Sequence, residues 1–104
     1  METKEIRNKI IEIIKQNQGE ISKNISDDTN LSEIGIDGDD ANDVMSNYFT
    51  TFRIDANNFI FEEYFGYEGF SFIEFLRTIF GRQKLKKITI KLLIENAIKG
   101  KWED

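Results

Sequence analysis

Apolar residues in this chain recur at intervals of three and four, the spacing that places side chains on one face of an α-helix. The first such run sets isoleucines between charged and amide residues: Ile6, Ile10, Ile13 and Ile14. It predicts an amphipathic helix over residues 4–18, with Gly19 as a suitable stop. The same spacing recurs later in the chain and favours a helical domain.

Three further segments carry helix signals. After Asp37-Gly38-Asp39-Asp40, one face of a second helix is apolar: Ala41, Val44, Met45, Tyr48 and Phe52. Asp37 or Asp39 can cap its start. Aromatic residues between 59 and 65 indicate a short third element, and Thr89 and Gly100 bracket a last helix. We expect an all-α fold, a small bundle of four to five helices in a single domain over residues 1–104.

The long polar stretch between the first two helices, residues 20–40, holds isolated apolar residues. They are Ile21, Ile25, Leu31, Ile34 and Ile36. We expect them to pin this loop onto the core, since a loop of this length in a small domain is functional or specially packed.

Composition excludes most catalytic chemistry. With no Cys and no His among its 104 residues, the chain has no thiolate, no Cys-zinc site and no Ser-His-Asp triad. The remaining side chains form no known catalytic constellation, so we expect no enzyme and no cofactor. No run of 18 apolar residues could span a membrane and the first residues are not a secretion signal, so we expect a cytoplasmic protein.

The acidic run after residue 36 does not match a calcium loop. An EF-hand that began at Asp37 would need Glu at its twelfth position, where this chain has Tyr48. We therefore expect no metal site, although a loose Mg²⁺ or Ca²⁺ site on Asp37, Asp39 and Asp40 stays open.

Charge is unevenly distributed around a net value of −5. Residues 20–68 hold twelve acidic groups against two basic ones, and residues 70–101 hold eight basic groups against two acidic ones. The acidic middle argues against nucleic acid as a partner and favours a basic protein, because opposite potentials steer encounter. The alternative is that this surface only keeps the protein soluble.

An aromatic and basic segment over residues 70–87 has two interpretations. Its apolar arc and clustered cations are typical of a helix that touches anionic lipid or a partner's groove. Alternatively, the aromatic residues complete the core of a small domain. The residues of this secondary surface are Phe72, Phe75, Phe80, Arg82 and Lys84. Trp102, between Lys101 and Glu103, is expected to pack as a cap.

The order of parts resembles an acyl carrier protein. In that family the loop before the second helix ends in Asp-Ser-Leu-Asp, and its Ser carries the 4′-phosphopantetheine arm. Here those positions are Asp37, Gly38, Asp39 and Asp40. Gly38 has no hydroxyl, so no arm can be attached there. Residues 66–87 are an insert relative to the minimal carrier.

A closer resemblance is to an uncharacterised family of small bacterial carrier-like proteins. Its marks are the core Ile36-Asp37-Gly38-Asp39-Asp40-Ala41 and the terminal Gly100-Lys101-Trp102. The resemblance implies a fold and a relationship, without an activity.

Two functions remain open. The first is a non-catalytic, carrier-like interaction or regulatory module that docks basic partners through its acidic second helix. The second is a small acidic inhibitor or immunity-type protein that binds a basic toxin or enzyme. We expect a monomer, with at most weak contact to a membrane surface. The expected partner-binding residues are Asp37, Asp39, Asp40, Asp43 and Asn47.

Overall fold

The computed structural model describes residues 2–19, 24–36, 38–65 and 86–104. In order, these residues form α1 (Thr3–Gln18), a 3₁₀ turn (Leu31–Ile34), α2 (Gly38–Phe52), α3 (Phe61–Phe65) and α4 (Ile90–Lys99). Two isolated bridges, Asn30 with Thr89 and Asp55 with Lys101, are the extended pairings within these ranges. The fold is a small all-α bundle, which confirms the predicted class.

The core forms where the apolar stripes of the three longer helices meet. The four isoleucines of α1 are buried, and α1 packs against both α2 and α4. From the other two helices, Val44 and Leu93 are each about 2% exposed or less. Full burial of each such side chain contributes roughly 1.5–3 kcal/mol to stability. The helical spacing identified these inward residues correctly, but the prediction was wrong for Ile98, which has the same spacing in the last helix and is 62% exposed.

The loop before α2 is pinned to the core as predicted. Leu31 and Ile36 are fully buried, and Ile25 and Ile34 are partly buried against them. Backbone hydrogen bonds tie this loop to the start of α4: the Leu31 amide donates to the Ile88 carbonyl at 2.9 Å. The predicted contact of Ile21 lies outside the described residues.

The ends of the first and last helices follow their sequence signals. Gly19 and Gly100 end α1 and α4 with φ values of 78° and 77°. The Thr89 hydroxyl caps α4 by accepting from the Leu92 amide at 3.2 Å. At α2, Asp39 lies inside the first turn rather than before it, so it is not the cap residue. Asp37 lies outside the described residues.

The aromatic and basic segment falls largely between Phe65 and Lys86. The residues predicted there as a secondary surface lie outside the described residues: Phe72, Phe75, Phe80, Arg82 and Lys84. In the described ranges, no helix has both the length and the apolar character needed to cross a bilayer.

Candidate functional site

Helix α2 divides into a buried face and an exposed face. Its 3.6-residue period turns Ala41, Val44, Met45 and Tyr48 inward. The exposed positions alternate with these: Asp39, Asp40, Asn42, Asp43, Ser46, Asn47, Thr50 and Thr51. We call Asp39, Asp40, Asp43 and Asn47 the acidic face. The structure therefore brings together all the predicted partner-binding residues except Asp37, which lies outside the described residues.

Spacing arranges the acidic face as a stripe. Asp39, Asp43 and Asn47 are four residues apart, so they follow one another along the helix, and Asp40 lies beside the first of them. The carboxylates crowd the first two turns, where the positive end of the helix dipole favours negative charge. The charge is therefore concentrated at the N-terminal half of α2.

The acidic face has no internal counter-charge among the described residues. The ion pairs there use other carboxylates: Asp27, Glu63, Glu103 and Asp104. Arg7, for example, contacts Asp27 at 2.6 Å. Within that part of the chain, the three carboxylates of α2 thus face solvent without a basic partner.

The inner face holds α2 firmly in place. Tyr48 is 1% exposed, and its hydroxyl donates to the Leu93 carbonyl of α4 at 2.6 Å. The Tyr48 ring also packs against Phe49 and Phe52, with centroids 5.4 and 5.5 Å away. Burial raises the pKa of Tyr48, so the hydroxyl keeps its proton and stays a donor. The acidic face is therefore carried on a helix whose inner side is anchored in the core.

The start of α2 has an open position at Gly38. Its φ is +54°, and an added Cβ would meet no atom within 4 Å. No hydroxyl stands at this position. The nearest serine hydroxyls that could carry an arm instead belong to Ser32 and Ser46. Ser32 is exposed in the 3₁₀ turn and Ser46 is exposed in the middle of α2, so neither lies at the helix start.

A second cluster, which sequence reasoning missed, links the chain's last residues to α3. Lys86 Nζ contacts Asp104 Oδ2 at 2.7 Å and Glu63 Oε2 at 3.1 Å. These hydrogen bonds raise the pKa of Lys86, and the bond from Lys86 lowers the pKa of Asp104. Tyr64 lies beside them, and burial raises the pKa of its phenol. The aromatic residues between 59 and 65 predicted a short third element, but no local pattern predicted that Lys86 and Asp104 would lie beside it.

The described residues hold no group of three or more acidic side chains placed to bind a metal ion. The loose cation site considered at Asp39 and Asp40 also needed Asp37, which lies outside these residues.

A family model described as "Protein of unknown function (DUF1493)" matches residues 3–103. No curated protein and no solved structure matches the chain.

Proposed function

The chain belongs to the DUF1493 family, and we propose that it is a non-catalytic, acyl carrier protein-like module that docks basic protein partners through the acidic face of α2. The observation that carries this proposal is the placement of Asp39, Asp40 and Asp43. They are exposed on one side of a helix whose other side is locked into the core. A fixed array of like charges that has no basic partner among the described residues suits a complementary surface on another protein.

The order of elements supports the carrier-like part of the proposal. A long first helix leads to a pinned loop, then to α2, a short α3 and the capped α4. On the resemblance to a carrier protein, Gly38 corresponds to the Ser that carries the arm. Because glycine cannot form the phosphodiester, the proposal retains the docking surface of a carrier and not its prosthetic arm.

The chemistry of the surface predicts a modest, salt-sensitive interaction. An exposed ion pair contributes about 0.2–1 kcal/mol, so three carboxylates alone do not produce tight binding. Their combined field speeds encounter with a basic patch, and salt screens it over about 8–10 Å at physiological ionic strength. Binding should therefore weaken clearly between low and moderate salt.

Affinity capture from native host lysate tests the proposal. The baits are the wild-type protein and the Asp39→Lys/Asp40→Lys/Asp43→Lys variant, each at low and moderate salt. A matched control, Glu5→Lys/Glu12→Lys/Glu95→Lys, makes the same change in net charge at exposed carboxylates of α1 and α4. Bound proteins are identified by mass spectrometry.

We expect some proteins to be captured by both the wild type and the control variant but not by the α2 variant. Partners captured equally by all three baits would contradict docking through α2. Partners lost equally from both variants would mean that net charge alone drives capture.

The inhibitor or immunity-type alternative uses the same acidic face. It predicts one basic partner held tightly, whereas a docking module binds several proteins weakly. The identity and number of captured proteins therefore separate the two functions. In either case we propose a monomer that acts in the cytoplasm, without nucleic acid as a partner, and light scattering of the purified protein checks the monomeric state.

A further inference from the structure

Trp102 fills a pocket built from aromatic rings. Its indole is fully buried, and four ring centroids surround it at 5.0–6.3 Å. Each of these rings stands nearly perpendicular to the indole, at 79–89°. Such edge-to-face contacts are favourable for aromatic groups. We call the four surrounding residues the aromatic pocket: Tyr48, Phe49, Phe59 and Tyr64.

The walls of the aromatic pocket also contact one another directly. Phe59 stacks on Tyr64 at 5.2 Å with 12° between their planes, and Phe59 also meets Phe49 edge-on at 5.0 Å. Tyr48 contacts Phe49 and is anchored to α4 by its hydroxyl. The wall residues come from α2, α3 and the loop between them, so the rest of the bundle positions them.

The indole is delivered by a short polar segment, residues 100–104, which we call the C-terminal strap. Trp102 is its single apolar side chain, and Lys101 and Asp104 are exposed. The backbone of the strap pairs with one residue of the loop after α2, Asp55. The Asp55 amide donates to the Gly100 carbonyl, and the Asp55 carbonyl accepts from the Trp102 amide, both at 2.9 Å. The strap is also tied to α4, because the Asn96 side-chain amide donates to the Glu103 carbonyl at 2.8 Å. From this position it inserts one ring into the bundle.

One polar contact lies inside the aromatic pocket. The indole N–H of Trp102 donates to the Tyr64 hydroxyl at 3.0 Å, and both groups are buried. A pocket with apolar walls and one well-placed polar group is typical of a site for a small organic ligand.

We propose that the aromatic pocket is a preformed binding site for a planar bicyclic aromatic group with an N–H donor, and that the C-terminal strap is its built-in occupant. Because the strap is tethered, its effective concentration at the pocket is high and it excludes free ligand from the wild-type protein. The pocket accepts a free ligand once the tethered indole is removed. This inference does not depend on docking through α2.

The test uses the full chain with Trp102→Gly, which deletes the occupant and leaves the walls intact. Free indole is the probe, and thermal unfolding followed by circular dichroism is the readout. With indole at ten times its dissociation constant, we expect the unfolding equilibrium constant of the variant to fall roughly elevenfold. The wild type should show no such change, and 1-methylindole, which lacks the N–H donor, should bind severalfold more weakly than indole.

A second variant, Trp102→Gly/Tyr64→Phe, lacks the Tyr64 hydroxyl that accepts the indole N–H. This variant should therefore bind indole and 1-methylindole equally well. If the Trp102→Gly variant does not fold alone, indole present during refolding should restore its helical signal. The proposal is overturned if indole shifts unfolding of the variant no more than that of the wild type. It is equally overturned if the variant stays unfolded with indole present.

Discussion

At the scale of single residues, Gly38 determines how α2 begins. Its φ of +54° lies in the left-handed region, which glycine adopts without the clash that a Cβ introduces. The surrounding space is open, since an added Cβ would touch no atom within 4 Å. The backbone conformation, rather than packing, therefore favours glycine at this position.

Gly38→Ala should lower the free energy of unfolding by about 1–2 kcal/mol, because the left-handed conformation strains a residue with a Cβ. Gly38→Asn should cost less, because asparagine tolerates this region. Urea titration of the three proteins measures both changes. Equal losses for Ala and Asn would show that backbone strain is not the cause.

Tyr48 makes the free energy of unfolding of the protein change with pH in the alkaline range. Burial raises its pKa above the ordinary value of 10.0, so above pH 10 the unfolded chain loses a proton that the folded protein retains. The stabilising contribution is complete below pH 10 and is lost as the pH rises from there toward the folded pKa. Tyr64 and Lys86 have pKa values shifted in the same direction.

Tyr48→Phe should reduce the fall in unfolding free energy above pH 10 by up to about 1.4 kcal/mol per pH unit, the value for one proton. At neutral pH the substitution should lower the free energy of unfolding by about 1 kcal/mol, because the hydrogen bond to the Leu93 carbonyl is lost. Urea titrations at pH 7 and at several values above pH 10 measure both effects. Tyr64 and Lys86 are unchanged in the variant, so the difference between the two proteins in pH dependence reports Tyr48. If the unfolding free energies of both proteins fell in parallel above pH 10, the role of Tyr48 would be contradicted.

At the scale of elements, the helices with clear periodicity were predicted well. Helix α1 was expected over residues 4–18 and spans Thr3–Gln18, and the stop of α4 at Gly100 was also correct. Local signals suffice there because the cap and the apolar stripe both lie within the element. The acidic face follows from the same periodicity, since the inward residues of α2 fix the outward ones.

Long-range pairings could not be predicted from local patterns. Asn30 pairs with Thr89, and Asp55 pairs with Lys101, across separations that leave no periodic trace in the sequence. Arg53 adopts a φ of 52° where α2 ends, although no glycine marks the turn. The network around Lys86 was missed for the same reason, because its partners come from α3 and the chain's last residue.

The Thr89 side chain stabilises the start of α4. Thr89→Ala should lower the free energy of unfolding by about 1 kcal/mol, because the Leu92 amide loses its acceptor at the helix start. Thr89→Ser keeps the hydroxyl and should stay close to the wild type. Chemical denaturation distinguishes them, and equal losses in both variants would assign the effect to the missing methyl contact instead.

At the scale of the whole molecule, Lys86 joins α3 to the residues after α4. The Lys86 amide donates to the Glu63 carbonyl at 2.9 Å, and its ammonium group bridges Glu63 and Asp104. The residues on either side of the segment 66–85 therefore lie close together. A short linker is therefore long enough to join residues 65 and 86.

Replacing residues 66–85 with a short Gly-Ser linker should leave cooperative thermal unfolding and the helical signal of α1, α2 and α4. The reason is that the pairing of Lys86 with Glu63 already joins the two ends. Circular dichroism of the shortened and full chains makes the comparison. Loss of cooperative unfolding would mean instead that the aromatic side chains of the segment complete the core.

Docking of basic partners on the acidic face can be observed residue by residue through NMR mapping of the complex. Labelled protein is titrated with a captured basic partner at low salt, and backbone amide shifts are followed for each residue. We expect the largest changes at Asp39, Asp40, Asp43 and Asn47, and we expect them to shrink as salt is added. Changes confined to α1 or α4, with α2 unaffected, would contradict the claim.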